Sequence, residues 1–293
     1  TGSQKFPLMQ GVTESLAGRA AVLELHPLSA REYERWTGEA IERKQLIQWM
    51  FRGSYPELCA KDLSPDRFYS DYLVTYLERD VRSVLQVRSL RDFDRFLRLC
   101  ASRTGQLLSY NSLATDLGVS PNTIKSWISV LEASGIVHLL EPYYSNLGKR
   151  IVKSPKLYFL DTGLVCYLIG MRSPDDLEKS IMVGAIFETH VLGQIIRHFA
   201  NRGVRLPVYF YRDHWGHEVD FLIPSGERFE LIECKWAEFP SVKQSGFEEI
   251  EKLVSPERII SKTIVTPARG RRLTKNGIVV ADKPAHLGEA ILE

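Results

Sequence analysis

The stretch His217–Trp236, HEVDFLIPSGERFELIECKW, decides the fold. HEVDFLI (217–223) and FELIECKW (229–236) are apolar runs rich in aliphatic and aromatic residues, and PSGE between them supplies the turn. Each reads as a strand. Side chains alternate along a strand, so Glu233 and Lys235 share one face and Cys234 takes the other. Glu218 and Asp220 share a face likewise. Charged groups set inside such apolar strands are costly unless they are paired or bind metal.

The neighbouring segments extend this pattern. VYFYRD (208–213) reads as a preceding strand, SVKQSGFEEIEKLV (241–254) as a following helix and KTIVTP (262–267) as a further strand. Upstream, SIMVGAIFETHVLGQIIRHF (180–199) is helical, with Ile181, Ala185, Leu192 and Ile195 on one face. Glu188 falls on that same face, so it is expected to point inward and to need a partner. Glu188, Asp220, Glu233 and Lys235 are therefore the candidate catalytic set. Asp220 and Glu233 are the candidate ligands of a hard divalent cation such as Mg²⁺. Such an ion polarises a phosphoryl oxygen and activates water, while the lysine stabilises developing charge. Helix with Glu, strand with Asp, strand with Glu-x-Lys, helix, strand: this order resembles the PD-(D/E)xK nuclease superfamily. A surface Glu–Lys ion pair and a degenerate, purely structural relative of the fold remain open beside it.

Residues before Gly170 carry a second pattern. FDRFLRLCASRTG (93–105) and NSLATDLGV (111–119) read as helices, the latter ended by Gly118. Ser120-Pro121 is a strong helix start. In the helix that follows, Ile124, Trp127, Ile128 and Leu131 share a face, and Gly135 stops it. IVHLLEPYY (136–144) and KLYFLDTG (156–163) read as two strands joined by a basic connection with Lys149, Arg150, Lys153 and Lys156. Three helices and a two-stranded wing match the winged helix-turn-helix pattern. Asn122, Thr123, Lys125, Ser126 and Ser129 lie on the outward face of the third helix and suit contacts to phosphates and base edges. Lys149, Arg150 and Lys153 suit phosphates. DNA is thus a candidate partner, and packing between domains is the alternative use of such a module.

Composition bounds these readings. In 293 residues, 38 Lys and Arg face 36 Asp and Glu, a formal charge of +2, so nucleic-acid binding must rest on local patches. Hydrophobic content of 44% and charged content of 25% are ordinary for a globular protein and exclude disorder as the dominant state. Cys59, Cys100, Cys166 and Cys234 form no metal or disulfide spacing, which suggests reduced thiols in a cytoplasmic protein. The longest apolar run, near GLVCYLIGM (163–171), is half of a membrane span, and no charged-then-apolar leader is seen. Trp36, Trp49 and Trp127 are expected to pack, His217 to sit in a solvated turn, and Arg269, Arg271, Arg272 and Lys275 to occupy a solvated loop.

The whole chain resembles the prokaryotic AAA-type ATPases that carry a C-terminal domain of unknown function, DUF4143. The resemblance rests on TGSQKFPLMQGVTESLAGR (1–19), LELHPLS (23–29), the GSYPE turn (53–57), YLERDV (76–81), KLYFLDTGL (156–164), GAIFETHV (184–191), EVDFLI (218–223) and IECKW (232–236). It implies an α/β multidomain protein. Residues 1–27 would be a remnant of the ATPase core, 28–90 a helical lid, 91–170 a winged helix and 171–293 a PD-(D/E)xK-like domain. In that frame TGS is a sensor-1 turn, with Ser3 reading the γ-phosphate or the attacking water. Arg19 is a candidate arginine finger on a neighbouring subunit, which implies a homo-oligomer; an ion pair at a helix end is its plainer role. No G-x-x-x-x-G-K-[ST] loop occurs in the sequence, nor the hydrophobic-strand-then-acid motif expected upstream of TGS. ATP is therefore expected only together with a nucleotide-binding half outside these residues, and the chain by itself is not expected to hydrolyse it. Three functions follow: nucleotide state coupled to DNA or partner binding, a metal-dependent nuclease, or a non-catalytic interaction module.

Overall fold

Helix α1 (Ala30–Thr37) opens on a capping box, in which Ser29 caps the Glu32 amide and Glu32 returns a carboxylate to the Ser29 amide at 2.8 Å. The computed structural model describes residues 24–76, 90–143, 152–241, 244–268 and 270–281, and these are mixed α/β. Helices α2 (Arg43–Arg52), α3 (Pro56–Ala60) and α4 (Pro65–Tyr76) follow α1. Then come α5 (Leu90–Ala101), β1 (Gln106–Leu107), α6 (Tyr110–Leu117), α7 (Pro121–Ala133), β2 (Val137–Leu140) and β3 (Lys156–Phe159). The expected punctuation is present. Gly118 closes α6 with φ +70°, Ser120 caps α7 by accepting from the Thr123 amide at 3.1 Å, and Gly135 follows with φ +68°. Ile124, Trp127, Ile128 and Leu131 are all buried. The sheet is β1-β3-β2, all antiparallel, so the expected strand pair gains a short third member. After Phe159 the chain leaves the strand, and α8 (Thr162–Leu168) carries the apolar run noted in the sequence.

The second half comprises α9 (Pro174–Lys179), α10 (Val183–Ala200), β4 (Tyr209–Arg212), β5 (Glu218–Ser225), β6 (Arg228–Cys234), α11 (Ser245–Val254), β7 (Ile259–Val265), β8 (Arg271–Leu273) and β9 (Ile278–Ala281). The six strands run β4-β5-β6-β7-β9-β8, parallel at β6–β7 and β7–β9 and antiparallel elsewhere. Both faces of this sheet are covered, which explains why its strands read as nearly continuous apolar runs. Phe221, Ile223 and Ile232 join Ile186, Phe187 and Val191 of α10 in one core. Val219, Leu222, Leu231 and Ile264 join Phe247, Ile250 and Val254 of α11 in another. Gly246 allows α11 to approach, because a Cβ there would collide with the Glu218 carbonyl.

Several contacts tie the halves together, two of them through backbone pairing and a buried polar hub. Residues after β2 run onto β4: the Tyr143 amide donates to the Phe210 carbonyl at 2.8 Å and the Phe210 amide to the Glu141 carbonyl at 3.1 Å. The second of these is the hub. Asp161, 4% exposed, caps α8 at the Leu164 amide (3.0 Å) and accepts from the Ser54 amide (2.8 Å), the Ser54 hydroxyl (2.9 Å) and the Tyr69 hydroxyl (2.6 Å). Arg197 of α10 donates to Ser54 Oγ at 2.8 Å and to the Leu160 carbonyl at 2.9 Å. Gly53, at φ +87°, has no room for a Cβ against Tyr69 and Asp161.

Several sequence expectations are corrected. Ile181 precedes α10 and is fully exposed, so it is not part of the face that carries Glu188. Trp36 is 55% exposed, stacked edge-on against Tyr33, whereas Trp49 and Trp127 are buried as expected. Arg271 and Arg272 stand on the exposed edge strand β8 rather than in a loop. Ser3, Arg19, Lys149, Arg150 and Arg269 lie outside the described residues. Among the described residues no helix is long and apolar enough to cross a membrane.

Candidate functional site

The fold brings Glu188, Asp220, Glu233 and Lys235 into one cluster at the start of β5 and the end of β6. Glu188 reaches it from the first half of α10. The four come from three separate elements, and their convergence is what the strand and helix periodicities implied. At the centre, however, lies a residue the sequence placed in the basic connection between two strands. Lys156, the first residue of β3, is 2% exposed. Its Nζ lies 3.0 Å from Glu188 Oε1, in direct contact with Glu218 Oε1 and 3.8 Å from Asp220 Oδ1. The rings of Phe210 and Tyr158 flank the ammonium at 5.6 and 5.9 Å. Tyr158, two residues along β3, donates a short hydrogen bond to the same Glu188 oxygen. Lys156 is therefore not available to phosphates.

The remaining partners are specific. Lys235 Nζ holds Glu233 Oε1 at 2.6 Å, Arg212 Nη1 holds Glu218 Oε2 at 3.1 Å, and the Cys234 amide donates to Asp220 Oδ2 at 2.8 Å. Burial, and then the charges of Glu188 and Glu233, push the Asp220 carboxyl well above the usual carboxylate range; Lys156 opposes this only in part. Burial also raises Glu233, against the pull of Lys235. Burial alone would lower Lys156, but Glu188, Tyr158, Asp220 and Glu218 together hold its ammonium well above the ordinary lysine value. Four carboxyl groups thus meet three cations, Lys156, Arg212 and Lys235.

That balance bears on metal binding. Magnesium demands a near-octahedral oxygen shell. Here the ammonium of Lys156 fills the space between Glu188, Glu218 and Asp220, and Glu233 is drawn to Lys235. Among the described residues no group of three or more His, Cys, Asp or Glu side chains is arranged to hold a metal ion. The cluster as folded does not fit a divalent cation. What it does offer chemically is an ionic bond between the β1-β3-β2 sheet and the six-stranded sheet.

Elsewhere on the molecule, α7 shows Asn122, Lys125 and Ser126 to solvent, and Lys153 is also exposed. Thr123 and Ser129 serve the helix itself: Thr123 Oγ1 lies 2.8 Å from Ser120 Oγ, and Ser129 Oγ donates to the Lys125 carbonyl at 3.0 Å. His217 lies in the β4–β5 turn, half-exposed as expected, with its Nδ1 2.7 Å from Asp213 Oδ2. Glu230 is a buried carboxyl that the sequence reading passed over. Burial raises it to about 7, and its Oε1 has no hydrogen-bond partner among the described residues.

The signal for Lys156 was present in the sequence. In KLYF, Lys156 and Tyr158 share a strand face, and the rule that demanded a partner for Glu233 demanded one for this lysine too. The carboxylates and the lysine each called for a partner, and the fold pairs them.

Comparison with known proteins adds the following. Residues 183–282 match a family described as a domain of unknown function, DUF4143. Residues 43–175 match a second, described as a domain of unknown function, DUF8612. The chain is 30% identical, over 83% of its length and 53% of theirs, to uncharacterized proteins of Mycobacterium tuberculosis and Mycobacterium bovis. It is 24% identical to an uncharacterized protein of Methanocaldococcus jannaschii, over 87% of this chain and 58% of that one. The chain spans about half the length of the curated relatives it matches. No solved structure matches it.

Proposed function

We propose that this chain, with its DUF4143 segment, is the C-terminal part of an AAA-type ATP-binding protein and couples nucleotide state to DNA or partner binding. In this reading residues 91–170 act as a winged helix, and the six-stranded domain is a PD-(D/E)xK-like body that transmits rather than cuts. ATP belongs to a nucleotide-binding half of such a protein, with Ser3 and Arg19 reading the nucleotide in a homo-oligomer.

The observation that carries the reading is α7. It starts at a capped Ser-Pro, buries Ile124, Trp127, Ile128 and Leu131, and presents Asn122, Lys125 and Ser126 outward. A helix anchored on one face and polar on the other, followed by paired strands, suits the major groove with the strands against the backbone. The matching DUF8612 segment supports treating the helices before and through this module as one unit. The buried hub of Ser54, Tyr69, Asp161 and Arg197 supports coupling, because it links the helices before the module to α10 behind it. A nuclease is the second reading, favoured by the approach of Lys235 to Glu233 beside Asp220.

Fluorescence anisotropy with a labelled duplex over a salt series tests the first reading. Lys125→Ala, Lys149→Ala and Arg150→Ala combined should weaken binding about tenfold or more. Each lost phosphate contact should also make the log–log salt slope shallower by about 1. Affinity and slope equal to those of the wild type would sink the DNA assignment.

A further inference from the structure

We propose that Lys156 is a tethered monovalent cation standing in the place of a divalent ion, so that the acid cluster is an ionic lock between two sheets. This rests on the PD-(D/E)xK-like reading of the six-stranded domain and specifies what its acid cluster does. Three carboxyl groups surround this ammonium: Glu188 at 3.0 Å and Glu218 in direct contact, with Asp220 farther off at 3.8 Å. Little solvent reaches it, since the side chain is 3% exposed. The phenol of Tyr158 takes part on the same strand face, and Arg212 and Lys235 neutralise the outer carboxylates.

The lysine belongs to β3, whose partners are β1 and β2, whereas its carboxylates sit on α10 and β5. A metal ion would leave the two sheets free of each other at this point. A lysine anchored on one sheet and buried in the acids of the other cannot. Any displacement of β3 relative to β5 therefore separates buried opposite charges, and the two sheets are held to move as one body. The ligand class the site takes is a primary ammonium supplied by the chain itself.

Titration calorimetry of the intact chain with Mn²⁺ tests this. The wild type should give no heat of binding at millimolar Mn²⁺. Heat of binding that disappears in Asp220→Ala would overturn the proposal. Lys156→Met, which keeps the stem and removes the charge, should give a saturable heat of Mn²⁺ binding under the conditions in which the wild type gives none. A folded Lys156→Met chain with no gain in binding would also overturn it. Should that variant not fold, the wild-type titration with its Asp220→Ala control remains decisive. The salt-dependent DNA titration is measured independently, so failure of the lock and failure of the coupling function are distinguishable.

Discussion

Asp161→Ala should destabilise the chain by about 3–5 kcal/mol, the range for breaking a buried charged network. Four donors converge on this carboxylate: the Ser54 amide and hydroxyl, the Tyr69 hydroxyl and the Leu164 amide. Hydrogen bonds to a charged group are each worth about 1.5–3 kcal/mol, and a buried donor left unsatisfied costs its full desolvation. Alanine removes the helix cap of α8 at the same time. The buried guanidinium of Arg197, whose charge Asp161 helps to offset, loses that compensation as well. Asp161→Asn should recover little, because an amide presents two donors to a site built of donors. Urea unfolding followed by circular dichroism measures the effect. A midpoint within experimental error of the wild type would show that the hub does not hold these elements together.

The second large effect belongs to Lys156. Lys156→Ala should cost about 3–5 kcal/mol at pH 7, because it leaves the half-buried Glu188 and Glu218 and the buried Asp220 without their shared cation. The sign with pH follows from linkage. The folded protein holds the Lys156 proton more tightly than the unfolded chain, whose reference value is 10.5. The contribution is therefore fully present below about pH 10.5 and is lost as pH rises through the folded value. Neutral solution shows all of it. Removing Lys156 takes away the cation that opposes the upward push on the Asp220 carboxyl, so the variant should bind protons more readily and its difference from the wild type should narrow as pH falls toward 4. Urea midpoints of both proteins at pH 7 and pH 4 measure this. A penalty that is the same at both values would mean that lost packing, not lost charge, explains it.

Much of the architecture was legible because its signals are local. Ser120-Pro121, Gly118 and Gly135 punctuate their helices where the sequence says they should. The alternation in EVDFLI and FELIECKW put Asp220, Glu233 and Lys235 near one another. Glu188 needed only the helical period. What stayed hidden is tertiary. Nothing within KLYF says which sheet its lysine will enter, because the partner carboxylates lie more than thirty residues away, as the Glu188 contact shows. The hub around Asp161 spans 107 residues to Ser54 and so leaves no trace in any window of sequence. The short edge strand β8 was missed because RRL carries no apolar alternation strong enough to distinguish it from a charged loop. Ile181 failed for the opposite reason: the period was extended past the true start of α10, where Met182 is the cap residue.

Lys156 also changes the weight of the two functional readings. A nuclease of this kind needs an open metal site, whereas the space between the acids here is already filled by the Lys156 ammonium. A transmitting role needs rigid connections, and the ionic lock and the Asp161 hub are two of them. One gel tests this most directly: labelled duplex DNA incubated with the intact chain and Mn²⁺, run both native and denaturing. The expected result is a shifted complex at low salt, released as salt rises, with the DNA intact. Cleaved DNA whose appearance is abolished by Glu233→Ala would contradict it.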